Sequence, residues 1–505
     1  MSAFKNAVNN TNTPETQNRA KTANGGNSLK STLNPLVDLF FIIGSLRNKD
    51  LNAYKASFDA AYAANSTLAL QMILWARDIR GGAGERNTPR ELLKYLEVKH
   101  PQDVLRIIPV LAEFGRWDDL LIFKTAAAKT VAYTAIAEAL TSGNGLCAKW
   151  MPRVYKFKKN AQGVVNMNTT ANKNRAANNK IAREIMGVMN INEREYRKLL
   201  SSLSNTVEQK MCANEWSDID YNKLPSVASS RYLPAFMKRD EGRYREYLAS
   251  LEKGEAKVNA GALYPYDVTT KLDRRNPSST TLAVAQWEAL RNFMGDAKAI
   301  PMVDTSGSMG TTAGATRMTC MDVAISLGLY IADKQEGAFK DLFLNFSTRP
   351  QIFELKGSNI AEKKFDLERY QGGQYWSGST DIGLAFKKVL EVAVQQQVPA
   401  DQMPENLIVL SDMEFNHYNS GGWNATAYES AKADFARAGY ELPVVVFWNL
   451  NARPGNNPVK FDTNGVALVS GFSPSVLEAV LSGEDVDPVQ VMLRTIDSPR
   501  YQVLG

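Results

Sequence analysis

From residue 299 to residue 482 short apolar runs of strand length alternate with runs of helical periodicity, and few folds accommodate that alternation. The strand-like runs are 299–303, 342–346, 407–410, 444–448 and 466–469; the helical ones are 317–334, 382–395, 426–438 and 474–482. Strands separated by helix-length connections are joined by crossovers, which implies a largely parallel sheet with helices on both faces. Such a sheet binds ligands outside the carboxyl ends of its strands. Asp304 ends the first run and Asp412 ends the run Asn406-Leu-Ile-Val-Leu-Ser411, so two carboxylates fall at two strand ends.

The loop after the first run reads Asp304-Thr-Ser-Gly-Ser308. Ser306 and Ser308 alternate with Asp304 and bring two hydroxyls to the side of its carboxylate. Oxygen ligands without nitrogen or sulfur suit Mg²⁺, with Mn²⁺ or Ca²⁺ as alternatives, rather than zinc. Thr380-Asp381 follows Trp376-Ser-Gly-Ser379, and Asp412 comes later still. A buried hydrogen-bonding loop without metal accounts for one Ser or Asp of this set but not for Thr380 and Asp412 together. An aspartic-protease reading needs a second such loop in a β-rich chain, and there is none.

The pattern Asp-x-Ser-x-Ser, then Thr, then Asp resembles the metal-ion-dependent adhesion site of von Willebrand factor A domains over residues 297–471. The resemblance implies a cation held by Ser306, Ser308 and Thr380, with Asp304 and Asp412 bound directly or through water. It leaves the sixth octahedral position to a carboxylate of a protein partner. Asp381 and Glu414 stand beside the matched positions and are expected to support them. Intracellular A-domain proteins often work beside ATPases of the AAA+ class, which makes such an ATPase a candidate partner.

Before residue 296 the texture is different. Residues 1–32 are rich in Asn, Thr, Lys and Gly and are expected to form a flexible or wrapping arm. Residues 33–295 read as short amphipathic helices separated by turns such as Arg80-Gly-Gly-Ala-Gly-Glu-Arg86 and Phe114-Gly-Arg-Trp-Asp-Asp119. Successive helix pairs of this kind stack as solenoids. Gly81–Gly84 lacks the Lys-Ser/Thr of a phosphate-binding P-loop and follows no strand, so it reads as a tight turn. Arg77, Arg80 and Arg86 stand ready either for phosphate or for Asp78 and Glu85.

Up to Asp296 there are 42 Lys and Arg against 29 Asp and Glu, and from Ala297 onward 17 against 24, so a basic part precedes an acidic one. The basic excess is densest at Lys149, Arg153, Lys156, Lys158, Lys159, Lys173, Arg175, Lys180 and Arg183, a stretch with no acidic residue and with Trp150, Tyr155 and Phe157 among the cations. Two readings stand: a solvated loop between helices, or a surface for nucleic acid with aromatics for base stacking.

A helical-repeat module followed by an A domain resembles the Ro ribonucleoproteins, whose N-terminal module is of the telomerase, Ro and vault (TROVE) type. Arg77-Asp-Ile-Arg-Gly-Gly-Ala-Gly-Glu-Arg86 and Gly115-Arg-Trp-Asp-Asp-Leu120 carry that likeness. Asn34-Pro-Leu-Val-Asp-Leu-Phe40, Ala148-Lys-Trp-Met-Pro152, Leu224-Pro-Ser-Val-Ala228, Gly261-Ala-Leu-Tyr-Pro265 and Leu410-Ser-Asp-Met-Glu-Phe415 are similar to an uncharacterised group of intracellular A-domain proteins of plants, phages and large DNA viruses. The Ro resemblance implies a basic helical ring that accepts small structured RNAs and RNA ends.

Composition narrows the classes. The chain has 505 residues, 44% hydrophobic and 22% charged, as expected of a soluble protein with more than one domain. Its apolar runs are too short to span a bilayer and its start does not read as a signal peptide. Cys147, Cys212 and Cys320 suggest a reducing, cytoplasmic setting. With only His100 and His417, a multi-histidine zinc site is excluded and a Ser-His-Asp triad has almost no candidates. The expectation is a non-enzymatic α + α/β protein. Its parts are an arm (1–32), a TROVE-like helical (HEAT-like) repeat module (33–295), a doubly wound A domain (297–482) and a C-terminal extension (483–505). Its expected work is as an RNA-binding scaffold with a Mg²⁺-dependent interaction site. The alternatives are a metal-dependent protein adaptor and a structural or assembly protein.

Overall fold

The structure is a computed structural model and describes residues 18–47, 49–313, 318–346, 348–370, 376, 380–416, 425–453, 455–482 and 486–504. Trp376 is described, but Ser377–Ser379, Arg317 and His417 lie outside these residues. The chain divides into two compact units, one of 1–88 with 221–502 and the other of 89–220 with 503–505.

The first unit is built on a six-stranded sheet. Its strands, after a short hairpin of β1 (Arg19–Lys21) and β2 (Asn27–Leu29), are β3 (Ala299–Asp304), β4 (Leu342–Phe346), β5 (Gln351–Glu354), β6 (Asn406–Ser411), β7 (Val444–Asn449) and β8 (Val466–Ser470). The spatial order is β5-β4-β3-β6-β7-β8, with every pair parallel except β4–β5. Every residue of β3, β6 and β8 is buried, because helices cover both faces and leave no solvent side to alternate toward. β5 escaped the sequence reading: four residues on an antiparallel edge, half of them partly exposed, carry no continuous apolar signal. The order runs outward in both directions from β3 and β6, so the topological switch point lies between those two strands.

Helix Cys320–Lys334 packs on β3. It begins three residues later than expected because Thr319 and Asp322 form a capping box there. Gly328 sets the approach of this helix to the sheet: a Cβ there would lie 2.6 Å from Val303 Cγ2 and 2.7 Å from a ring carbon of Phe343.

Helix Pro35–Ile43 also packs on this sheet, against β8. The sequence reading had assigned it to the helical module. Seven of its nine residues are buried, so it is apolar nearly all round and must be covered on more than one side. Ser470 Oγ donates to Phe40 O at 2.7 Å and accepts from Gly44 N at 3.0 Å. The C-terminal extension is likewise structural: helix Pro488–Ile496 packs on β8 and on helix Ser66–Arg77. The compact units therefore do not divide at residue 296. Helices Ser226–Arg239, Glu241–Glu252 and Pro277–Glu288 belong to the sheet's unit and pack in sequence. Their centre is aromatic, with Tyr221, Phe236 and Tyr244 at ring separations of 4.9–5.2 Å.

Of the two expectations for the N-terminal arm, residues 18–32 take the wrapping one. Asn24-Gly-Gly26 is turn chemistry, Gly25 has φ +83°, and the two short strands fold back on each other. Leu29 and Asn457 exchange backbone hydrogen bonds at 2.8 and 3.1 Å, which anchors the hairpin's far end. Residues 1–17 lie outside the described part.

The second unit is helical. Pro101–Phe114 packs on Ala126–Thr141, which packs on Thr170–Met189, while Gly145–Trp150 packs on Glu193–Leu203. Only the first of these pairs is successive along the chain; each of the other two skips one helix. The turn at 114–119 is held by buried Asp119, whose Oδ2 accepts from Arg116 N at 2.8 Å. No helix of the described residues is long and apolar enough to cross a membrane.

Candidate metal centre and basic segment

β3 and β6 deliver Asp304 and Asp412 to the switch point. Both side chains are fully buried. Asp304 Oδ1 accepts from Ser306 N at 2.9 Å and Oδ2 accepts from Ser411 Oγ at 2.5 Å. Ser306 Oγ and Ser308 Oγ are 3.0 Å apart. Asp412 Oδ1 accepts from Glu414 N at 3.3 Å, while its buried Oδ2 meets no donor among the described residues. Thr380 is buried and joins through the chain that follows Asp412: its carbonyl accepts from Asn416 N at 2.9 Å. Asp304, Ser306 and Ser308 are thus linked directly, Asp412 directly follows Ser411, whose hydroxyl binds Asp304, and Thr380 joins by way of Asn416.

The electrostatics are compatible with a cation. Burial, reinforced by neighbouring Asp412, pushes the Asp304 carboxyl up to about 7, and burial also raises Asp412. Two buried carboxylates side by side resist ionising together unless positive charge joins them. Hard oxygen donors, an orphaned carboxylate oxygen and adjacent hydroxyls fit a small divalent ion, which Asp304, Ser306, Ser308, Thr380 and Asp412 would hold. A bound ion would supply positive charge and a coordination position for an acidic group. Among the described residues no group of three or more His, Cys, Asp or Glu side chains suits a metal, so any site here depends on the hydroxyls.

Glu414 and Asp381 support this centre. Glu414, buried, accepts from Arg453 Nη1 at 2.6 Å, Asn456 Nδ2 at 2.8 Å and Ala23 N at 2.7 Å. Asp381 caps helix Ile382–Gln395 by accepting from Leu384 N at 3.0 Å. Sequence reasoning missed Ser411, Arg453, Asn456 and the hairpin residues Thr22–Gly26. Ser411 stood next to a matched aspartate and was readable as a strand-end hydroxyl. The hairpin left only the Asn-Gly-Gly turn as its signal.

The second unit holds the basic segment in an unexpected form. Residues 155–158 run along helix Thr170–Met189, clamped by two asparagines seven residues apart. Asn179 accepts from Tyr155 N and donates to Tyr155 O, both at 2.9 Å. Asn172 accepts from Lys158 N at 2.7 Å and donates to Lys158 O at 2.9 Å. The chain then turns over residues 159–165, where Lys159 and Val165 form a bridge. Tyr155 and Phe157 are 46% and 37% exposed, and Val164, Val165 and Met167 are exposed as well. Lys156, Lys158, Lys159 and Lys173 are exposed, as is Lys180; Arg153, Arg175 and Arg183 are partly or fully so. Two cations have partners within the unit. Arg153 donates to Ser201 Oγ at 3.2 Å, and Arg175 donates to Lys156 O. Lys149 lies 5.9 Å from the Trp150 ring centroid, and Arg116 covers that ring at 3.7 Å.

The glycine turn at 81–84 serves structure. A Cβ on Gly82 would lie 1.9 Å from Trp75 O, so only glycine admits the backbone there. Buried Asp78 accepts from Arg80 N at 3.0 Å, Arg500 Nη2 at 2.9 Å and Tyr501 Oη at 2.9 Å, and Glu85 accepts from Arg86 N and Asn87 N at 2.9 Å.

Comparison with known proteins gives three kinds of match. An uncharacterized protein, L728 of Acanthamoeba polyphaga mimivirus, is 25% identical over 95% of this chain and 87% of its own. The crystal structure of the Deinococcus radiodurans RO (RSR) protein aligns over 92% of this chain and all of that one, at 13% identity and a TM-score of 0.42. A domain of unknown function, DUF7788, matches residues 298–499. A second domain of unknown function, DUF2828, matches residues 22–135 and 129–297, together more than half of the chain. The chain belongs to the DUF2828 family.

Proposed function

We propose that this protein is a non-enzymatic RNA-binding scaffold. In this reading the clamped segment holds structured or single-stranded RNA, and a Mg²⁺-dependent site at the sheet engages an acidic group of a protein partner. The observation that carries the RNA half is the Asn172 and Asn179 clamp. It holds an acid-free stretch in place, with Tyr155 and Phe157 exposed among lysines. An ordered basic strip with accessible aromatics suits stacked bases and phosphates, and costs less entropy on binding than a free loop. The Ro-like motifs at Arg77–Arg86 and Gly115–Leu120 point the same way.

The second reading, a metal-dependent adaptor without RNA, is favoured by the orphaned Oδ2 of Asp412 beside buried Asp304. An ATPase of the AAA+ class remains a candidate partner under it. Recovery of the native protein from its own cell extract tests both readings, with bound RNA and protein identified together. Under the first, RNA co-purifies and is lost when the Lys and Arg of 149–183 become Gln, and binding weakens steeply with salt. A partner lost on EDTA treatment and in Asp304→Ala, with no RNA present, would replace the scaffold by the adaptor.

A further inference from the structure

The N-terminal hairpin touches the candidate metal centre at its rim. Asn24 Nδ2 donates to Glu414 O at 2.6 Å and reaches Thr380 Oγ1 at 3.4 Å. Thr22 Oγ1 donates to Phe415 O at 2.6 Å, and Ala23 N donates to the Glu414 carboxylate at 2.7 Å. Gly25 forms a bridge with Asn416, the residue whose N–H binds Thr380 O. The fit is close, since a Cβ on Gly26 would lie 2.3 Å from Phe415 O and 2.7 Å from Asn416 O. Asp304, Ser306, Thr380 and Asp412 are each no more than 2% exposed, and the fifth candidate ligand, Ser308, is partly exposed.

That arrangement conflicts with a site that takes a carboxylate from another molecule. A partner's acidic side chain needs an open coordination position, and here a turn of the same chain sits on the candidate ligand Thr380 and on the backbone beyond Asp412. We propose that the turn Thr22–Gly26 is a cap in cis over the cation site, with Asn24 as its contact to Thr380, and that its undocking admits the ion and then an acidic partner group. The inference rests on the cation reading of Asp304, Ser306, Ser308, Thr380 and Asp412. The cap is suited to reversible release. It is held by a handful of hydrogen bonds to the loop after β6 rather than by apolar packing, while the far end stays anchored by Leu29 at Asn457. Undocking the tip therefore leaves the hairpin tethered, and it redocks without a search.

The test uses the full-length protein and Mn²⁺ alone as probe, with uptake followed by loss of the free-ion paramagnetic resonance signal. Hydrogen exchange of the amides at 22–26 is measured in parallel. Asn24→Ala removes the contacts to Thr380 and Glu414 O, and Gly26→Ala wedges the turn away from Phe415 O. Both variants should exchange faster at 22–26 and take up Mn²⁺ faster than the unaltered protein by on the order of tenfold, the factor expected from losing one or two hydrogen bonds of the docked state. Asn24→Ala changes an exposed turn and keeps the experiment informative if Gly26→Ala fails to fold. Asp304→Ala should bind no Mn²⁺. Faster exchange without faster uptake would overturn the cap, as would no change in either. Absence of Mn²⁺ binding in every protein would remove the cation reading itself, and the cap with it. Uptake that persists in Asp304→Ala would place the ion elsewhere, with the same consequence.

Discussion

Asn179 grips Tyr155 by both of its backbone groups, accepting the N–H and donating to the carbonyl at 2.9 Å each. A side-chain amide here does what a neighbouring strand does in a sheet. Tyr155 keeps its ring half exposed while its backbone is fixed. The basic segment is thereby a solvent-exposed stretch whose backbone is fixed at Tyr155 and Lys158.

Asn179→Ala should release that strip. The freed backbone groups of Tyr155 lie near water, so the cost to stability should be modest, about 1–2 kcal/mol. Exchange of the Tyr155 amide should accelerate sharply. RNA affinity should fall although no charge is removed, because a mobile strip must be ordered again on binding. Unchanged affinity alongside accelerated exchange would mean that the clamp plays no part in RNA binding.

The cation site predicts how stability responds to metal. Unfolding of the unaltered protein should shift upward with MgCl₂, by about 2.7 kcal/mol when the ion is at a hundred times its dissociation constant. Asp412→Asn removes one of two adjacent buried charges. That variant should be more stable than the parent in EDTA and insensitive to Mg²⁺. Denaturant midpoints with and without the ion separate these outcomes, and a parent indifferent to Mg²⁺, Mn²⁺ and Ca²⁺ would leave the hydroxyls and carboxylates as a hydrogen-bonded loop.

A buried ion pair away from this site ties helix Ile360–Leu367 to helix Cys320–Lys334. Lys363 Nζ lies 2.5 Å from Asp333 Oδ1 and 2.7 Å from Asp341 Oδ1, and Trp287 Nε1 donates to Asp333 Oδ2 at 2.7 Å. Lys363→Met leaves Asp333 and Asp341 without the cation they share and should cost about 3–5 kcal/mol at neutral pH. The hydrogen bonds and charge of Lys363 hold Asp333 below the usual carboxylate range, although burial alone would raise it. A group depressed on folding contributes above its unfolded value and loses that contribution as pH falls through the folded one. The gap between parent and variant in urea midpoint should therefore narrow on acidification below the usual carboxylate range. A gap independent of pH would show that lost packing, not charge, sets the cost.

Much of the sheet could be read directly from the chain, for a physical reason. Strands buried on both faces, such as 299–304 and 406–411, must be apolar throughout, and the carboxylates that end them stand out against that background. Asp304, Ser306, Ser308 and Asp412 were legible because they are close in sequence to those strand ends. Other parts depend on partners hundreds of residues away. Residues 18–32 have the composition of a disordered segment and fold only because the loop at 414–416 accepts their hydrogen bonds and the segment 457–461 exchanges hydrogen bonds with them. Pro35–Ile43 reads as one more helix of a helical module, and nothing local says that β8 will cover it. The clamp at 172 and 179 escaped notice because asparagine in a polar helix looks like ordinary solvated surface.

The glycine turn at 80–86 offers a final discrimination, between arginines that await phosphate and a turn locked by carboxylates. Asp78 is fully buried and accepts from Arg80 N, Arg500 and Tyr501, joining the turn to the chain's C-terminal segment. Asp78→Ala removes an acceptor shared by the Tyr501 hydroxyl and the Arg500 guanidinium. The expected cost is about 2–4 kcal/mol, from one lost neutral hydrogen bond and one lost charge-assisted contact. Tyr501→Phe removes only the hydroxyl and should cost about 1 kcal/mol. Because these contacts hold the turn from within, RNA affinity of either variant, measured well below its unfolding transition, should match the parent's. A loss of affinity in Tyr501→Phe, whose fold is barely disturbed, would instead make the turn part of a phosphate-binding surface.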